Sequence, residues 1–362
     1  MLKRLFAPLL TLVLLIAVSA AIYQSIKEQH TEQIAPVLKE IKGVIGSEKE
    51  AFFRDPQTIA ALAKEPWYLK VSVEKAGSRE IANTANLAAN YDFVFPAGIA
   101  AAEKIKRLKN TKKSVQPFFT PMVIASWKPI VDILIANNIV TKRGDTYYII
   151  DMNALFDLII KEKRWNDLKD SSQYPANKSV LVTTTDVRTS NSAAMYLALA
   201  SYILNNNAII ENNAQIEAIA KPLASLFTRQ GFTENSTEIP FQDYLTMGMG
   251  KSPLVMIYEA QFLMEAHKKT NSAITADMVL LYPEPTLFTK HIFIPFNADA
   301  EKLADALVND ENLQQIANQY GLRTTKVNNK SNNFITPPTL VNIIDEPSYD
   351  LLEAMINRIY PN

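Results

Sequence analysis

The chain has 362 residues, 48% of them hydrophobic, which suits one large domain or two lobes with sizeable cores. Lysine plus arginine equals aspartate plus glutamate at 37 each, so net charge gives no reason to expect nucleic acid as a partner. Cysteine is absent, which excludes disulfides, thiolate metal sites, a cysteine nucleophile and a lipidated N-terminal cysteine. Three scattered histidines, His30, His267 and His291, argue against a histidine zinc site, and no metal or cofactor is expected.

The N-terminus carries an export signal. Lys3 and Arg4 precede LFAPLLTLVLLIAVSAAIY, a run without charge. Val18-Ser19-Ala20 fits a signal-peptidase site. The apolar run also reaches Tyr23, close to the roughly 18–20 residues that span a bilayer. Residues 1–23 therefore read as a signal peptide or a membrane anchor, and 24–37 as a polar spacer. Either fate places the body in the periplasm or on the outer face of the cytoplasmic membrane.

From the spacer onward the pattern alternates. IKGVIG reads as a strand, and SEKEAFFRDPQTIAALAKE as helix broken at Pro56. YLKVSVEKAG alternates as a strand, SREIANTANLAAN is an amphipathic helix, and YDFVFPAG is a short strand with a loop. This β-α-β-α-β order implies parallel pairing with helical crossovers. PFFTPMVIASW then reads as a strand, TYYIIDMNALFDLII as an extended piece and a helix, and SVLVTTTD as a buried strand. SNSAAMYLALASYILNN starts a strong helix, and SPLVMIYEAQFL and DMVLLYPEPTLF are later strands. A helical pair follows near the C-terminus, and VNNKSNNF reads as an exposed loop. With no low-complexity linker, the chain is expected to cross between lobes near Met122–Ser126 and to return near Met278–Tyr282.

In open parallel sheets, ligands bind beyond the carboxyl ends of strands, where helix N-termini present free N–H groups. Four stretches place polar groups at such points. Ser47 follows the first strand with Glu50 three residues on, a capping-box spacing, so its hydroxyl either caps a helix or faces a ligand. Glu48, beside it, disfavours a free anion, and with Lys49 it suits a zwitterionic or cationic group. Asp186 and Arg188 precede Ser190, Asn191 and Ser192 at the start of an alanine-rich helix, a surplus over what one cap needs. Ser126 ends an apolar strand, and Trp127 either covers a ligand or joins the core. Tyr258 and Glu259 end a strand further on, where the tyrosine hydroxyl either closes a site or sits at a core boundary.

No hydrolase elbow, Walker A loop, zincin motif or dinucleotide fingerprint is present, and no base stands beside a candidate nucleophile. GMGKS at Gly248–Ser252 lacks the spacing of a phosphate loop and reads as a turn. An enzyme is therefore not expected. The segments GSEKEAFF, YDFVFPAG, VIASW, TTTDVRTSNSAAM, LVMIYEAQF and LQQIANQYGLR, in this order, resemble type 2 periplasmic solute-binding proteins over roughly residues 38–325. The nearest likeness is to the oxyanion-binding branch and to solute-binding-like proteins that accompany von Willebrand A domains. Val187 stands where proline is usual and Ala193 where glycine is usual, which fits a ligand other than molybdate or phosphate.

The resemblance implies an α/β fold of two lobes, each with a central mixed sheet, after the N-terminal signal or anchor helix. Lobe 1 would comprise 38–124 and 279–362, and lobe 2 would comprise 125–278. It implies ligand contacts from Ser47, Ser126, Ser190, Asn191, Ser192 and Tyr258, with Glu48, Trp127 and Glu259 beside them. The implied function is capture of a small, anionic or carboxylate-bearing solute for uptake through an ABC permease. The alternative is a membrane-tethered sensor or scaffold acting through a protein partner such as a von Willebrand A-domain protein.

Overall fold

The computed structural model describes residues 14–24, 37–144, 147–231, 233–268, 270–325, 340 and 342–360. Residues 14–24 are helical with exposed side chains. Among the described residues no helix is long and apolar enough to cross a membrane. Most of the expected signal or anchor, most of the spacer and the loop at 327–334 lie outside the described residues.

The body begins with β1 (Lys39–Ile45), α1 (Glu50–Arg54), α2 (Pro56–Leu62), β2 (Leu69–Lys75), α3 (Ser78–Asn83), α4 (Leu87–Asn90), β3 (Phe93–Phe95) and α5 (Ile99–Lys109). The long β4 (Val115–Trp127) leads to α6 (Lys128–Ala136), β5 (Val140–Arg143), β6 (Tyr147–Asp151), α7 (Met152–Ile160), α8 (Asn191–Leu204) and α9 (Asn213–Thr228). Then come α10 (Glu238–Met247), β7 (Leu254–Tyr258), α11 (Glu259–Ala266) and the returning pair β8 (Met278–Glu284) and β9 (Phe288–Pro295). The body closes with α12 (Ala298–Asn309), α13 (Glu311–Gln319) and α14 (Tyr349–Ile359).

The strand order is β2-β1-β3-β9-β4-β8-β6-β5, with β7 also on β4. β1 and β3 run parallel, while β9 is antiparallel to both β3 and the first half of β4. At Pro121 β4 still pairs with Phe288, and from Met122 it pairs with Tyr258 of β7, joined at Ile124 by Leu281 of β8. The exchange falls at a proline, which has no N–H to give to a ladder. One sheet thus becomes two. The first lobe is built on β2-β1-β3-β9 and the start of β4, the second on the end of β4 with β7, β8, β6 and β5.

Each lobe has its own core. In the first, Phe52, Phe53, Phe93, Phe95, Phe118 and Phe293 pack ring to ring, with Phe93 and Phe293 stacked at 4.7 Å. Such pairs add about 0.5–1.5 kcal/mol each beyond area burial. The second lobe is organised on β4, β7 and α8, whose residues Asn191–Ser201 are buried on every face, as the alanine-rich sequence allows. Side chains of Asp55, Asp151, Asn297 and Asp310 accept from the first N–H groups of α2, α7, α12 and α13, so short polar residues set these helix starts.

Three elements differ from the sequence reading. SVLVTTTD forms isolated bridges instead of a regular strand, with Thr183 paired to Val255. SREIANTANLAAN is two short helices, because Asn86 adopts the left-handed conformation (φ 55°) between them. The C-terminal helix α14, placed with lobe 1 by the sequence reading, buries Leu352, Met355, Ile356 and Ile359 in the core shared with the second lobe.

Candidate functional site

The turn after β1 is a single 3-10 turn, Ser47–Lys49, preceded by Gly46. The Ser47 hydroxyl caps nothing and lies 3.2 Å from the Ser236 hydroxyl of the second lobe. Glu50 forms ion pairs with Arg54 at 2.8 Å and Lys75 at 2.8 Å. The capping box therefore does not form, because the chain turns too tightly after β1 for Ser47 to be an N-cap. Ser47→Ala is expected to cost less than about 1 kcal/mol in chemical denaturation, the worth of one part-buried hydrogen bond.

The two charges of the turn point inward. Glu48 is 3% exposed and Lys49 is fully buried. The Lys49 ammonium pairs with the Glu48 carboxylate and lies 3.1 Å from His291 Nδ1 on β9. Burial alone would raise Glu48, but the Lys49 ammonium beside it outweighs burial and holds the carboxyl well below its ordinary range. Burial and the Lys49 charge push His291 down to about 4, so the imidazole is neutral near pH 7. Its Nδ1 then accepts from Lys49. Nε2 carries the proton and has no hydrogen-bond partner among the described residues.

The second lobe meets this turn with the start of α8. Ser190, Asn191, Tyr258, Ser47 and Glu48 line one cavity, together with Ser236 and Thr237. Asn191 Nδ2 donates to the Tyr258 hydroxyl at 3.2 Å. Ser192 lies 2.7 Å from the Thr185 hydroxyl and 3.0 Å from that of Ser190, so the serines are spent on one another. The cavity holds about 10 Å³, which is room for one water and too little for an oxyanion.

The lobes touch where side chains are missing. The N–H groups of Arg79 and Glu80 on α3 donate to the Thr189 carbonyl at 3.1 and 3.2 Å, across from Gly77. Gly98, at φ +88°, leaves the space in which the Asn191 amide sits, and a Cβ there would fall 1.9 Å from Asn191 Oδ1. Gly98→Ala is therefore expected to wedge the lobes apart, seen as a larger radius of gyration in small-angle scattering with the secondary structure unchanged.

Beside this contact a groove of about 330 Å³ remains open between the lobes. Ser47, Glu48, Glu50 and Ala51 line one wall, and Glu238, Phe241, Gln242, Leu245, Gln261, Met264, Glu265 and Lys268 the other, with Tyr320 at one end. The lining thus holds four carboxylates and one ammonium. Phe241, Leu245, Met264 and Ala51 give it an apolar floor.

Ser126, Trp127 and Glu259 line neither space. The Ser126 hydroxyl donates to the Pro253 carbonyl at 2.9 Å, and Trp127 donates to the Ser252 carbonyl with its ring 4.8 Å from Tyr244. Both complete the core at the far end of β4. Glu259 is fully buried and accepts from Arg323 at 2.7 and 2.9 Å and from Tyr282 at 2.8 Å. The sequence reading left out Lys49 as a buried group, and it left out His291, Ser236, Gly77 and Gly98. The Pro–Ala–Gly loop after β3 was the one visible sign of a close approach.

Solved structures share this architecture. A periplasmic thiamin-binding protein aligns with a TM-score of 0.56 at 11% identity, covering 89% of this chain and 96% of its own. A putative spermidine/putrescine ABC transporter protein from Listeria monocytogenes aligns at 0.54 with 14% identity, covering 89% and 99%. A sulfate-binding protein from Mycobacterium tuberculosis H37Rv aligns at 0.52 with 13% identity, covering 80% and 88%. No family model and no curated sequence matches the chain. The fold is that of the two-lobed type 2 periplasmic binding proteins. Neighbours named for such different solutes do not single out the oxyanion-binding branch.

Proposed function

We propose that this protein is an exported, non-catalytic solute-binding protein whose ligand is a small organic cation with an apolar body, held in the groove between the lobes. The observation that carries the reading is the groove lining: four carboxylates and one lysine around an apolar floor, in about 330 Å³. That size is at the lower end of the roughly 300–1,000 Å³ usual for small-molecule sites. Lys49, Arg54 and Lys75 pair with Glu48 and Glu50 from outside the lining, and Lys75 also bridges to Glu238. Glu238 pairs with Lys75 at 3.1 Å and Glu265 with Lys268 at 2.6 Å at the rim. A solute ammonium would join or displace these lysines, and its carbon chain would lie on Phe241, Leu245 and Met264.

An anionic solute fits less well. Glu48 fills the first-lobe turn where an anion would sit, and the hydroxyls at the start of α8 already bond to each other. The cationic or zwitterionic preference suggested by Glu48 beside Lys49 is kept, and the anionic one is not. Release of the solute to an ABC-type permease belongs to the same reading. The test is a titration of the full chain with organic amines and with oxyanions. Amines should raise the melting temperature, and Glu238→Gln with Glu265→Gln should weaken that response about tenfold or more, as expected when charged hydrogen bonds of roughly 1.5–3 kcal/mol are removed.

A further inference from the structure

A closing receptor is held shut by the differential contacts its solute makes with both lobes. Here the lobes meet around a cavity of only about 10 Å³, and the C-terminal segment crosses the seam. Beside the return crossing, Thr286 N donates to the Asn342 carbonyl at 3.0 Å, and Ile344 N donates to the Thr286 carbonyl at 3.0 Å. α14 then engages both sides. Toward the first lobe, Glu353 pairs with Arg79 at 2.5 Å, Asp350 pairs with Arg107 at 2.9 Å, and Arg107 lies 5.0 Å from the Tyr349 ring. Toward the second, Arg358 pairs with Glu217 at 3.1 Å, Arg188 lies 5.0 Å from the Tyr360 ring, and the apolar face of α14 packs on α9.

Between these anchors stands Glu346. Both of its carboxyl oxygens are shut off from solvent and complete no hydrogen bond among the described residues. The carboxyl faces the Ile99 and Ala100 N–H groups at the start of α5, with Lys290 on β9 nearby. α5 is the eleven-residue helix that follows Gly98, the point where Asn191 of the second lobe makes contact. A helix start of this kind attracts an anion, and the chain supplies one from its own C-terminal segment.

We propose that Asn342–Tyr360 is an internal clamp that holds the lobes closed without a solute, and that the Glu346 carboxyl takes the place of an anionic ligand at the start of α5. The clamp does not rest on the cationic-solute reading, because the groove is open in the clamped form. Burial pushes the Glu346 carboxyl up to about 7; the Ile99 N–H, Lys290 and the Ala100 N–H pull it down, and Asp345 adds to the rise. The charge of the Glu346 carboxyl also reaches the Tyr258 hydroxyl on β7. A carboxyl raised in the clamped form favours that form at low pH, and the advantage is lost as pH rises through about 7.

The test uses the absence of cysteine. Spin labels at Lys64→Cys in the first lobe and Lys161→Cys in the second report the inter-lobe distance in the full chain, free of solute. The wild type should give one closed distance at pH 6; Arg79→Ala, at the buried pair, should raise the open fraction about tenfold, and Arg107→Glu, at the exposed pair, about two- to fivefold. Arg107 is exposed, so its variant keeps the fold if Arg79→Ala does not. The open-to-closed ratio should climb by up to about tenfold per pH unit between 5 and 7, and Glu346→Gln should remove that climb. His291, held down to about 4, would act in the opposite sense if opening exposed it, so comparison with Glu346→Gln isolates the carboxyl. A wild type already open without solute, or an Arg107→Glu chain as closed as the wild type, would overturn the clamp. A pH response unchanged in Glu346→Gln would remove Glu346 from it. Organic-amine binding is read separately, and either result can stand without the other.

Discussion

Lys49→Met is expected to destabilise the protein by about 3–5 kcal/mol in chemical denaturation, the usual cost of leaving one partner of a buried ion pair without its counter-charge. Lys49 is fully buried and Glu48 nearly so, and His291 is neutral, so no other cation stands beside the carboxylate. The double variant Glu48→Gln/Lys49→Met should recover most of the loss, since a neutral pair of similar volume removes the stranded charge. The pH dependence follows from the signs. Glu48 is depressed, so its contribution is present above the ordinary carboxylate range and is lost only in strong acid. His291 is depressed from 6.5 to about 4, so its contribution is present above about 6.5 and is lost as pH falls toward 4. If Lys49→Met melts like the wild type, the pair is not buried as described.

Arg323→Ala is the second large effect, again about 3–5 kcal/mol. Arg323 holds Glu259 with two hydrogen bonds, at 2.7 and 2.9 Å, and its backbone pairs with Phe119 on β4 at 2.9 Å in both directions. The side chain thus ties the segment after α13 to the start of α11, next to the point where β4 changes lobes. With Arg323 gone, Glu259 keeps only the Tyr282 hydroxyl at 2.8 Å and stays fully buried. Arg323→Ala/Glu259→Gln should lose clearly less than Arg323→Ala alone. A loss below about 1 kcal/mol for the single variant would mean that the pair acts as an exposed salt bridge does.

The alternation of strands and helices in the first lobe was legible, because apolar period and proline position are local properties. The polar cluster at Ser190–Ser192 was legible as a helix start for the same reason. What was not legible depends on partners far along the chain. Glu48 and Lys49 read as a pair suited to a zwitterionic or cationic group, and their burial against each other depends on His291 of β9, some 242 residues on. Ser47 read as a cap because S-x-x-E is a local signal, but the 3-10 turn gives Glu50 the first position of the helix. Trp127 could have stood at a cleft edge or in the core, and only Tyr244 and the Ser252 carbonyl decide for the core. The role of α14 was hidden because its amphipathic face does not say which lobe it covers.

The central claim is that the groove selects a cationic solute, and calorimetric titration of the full chain tests it most directly. The probes are phenethylamine and 1,4-diaminobutane against sulfate, phosphate and glutarate. The account predicts saturable amine binding with one site per chain, weakened by Glu238→Gln/Glu265→Gln, and about 2.7 kcal/mol of added stability at one hundred times Kd, seen as a higher melting temperature. Saturable binding of sulfate, phosphate or glutarate with no amine binding would contradict it.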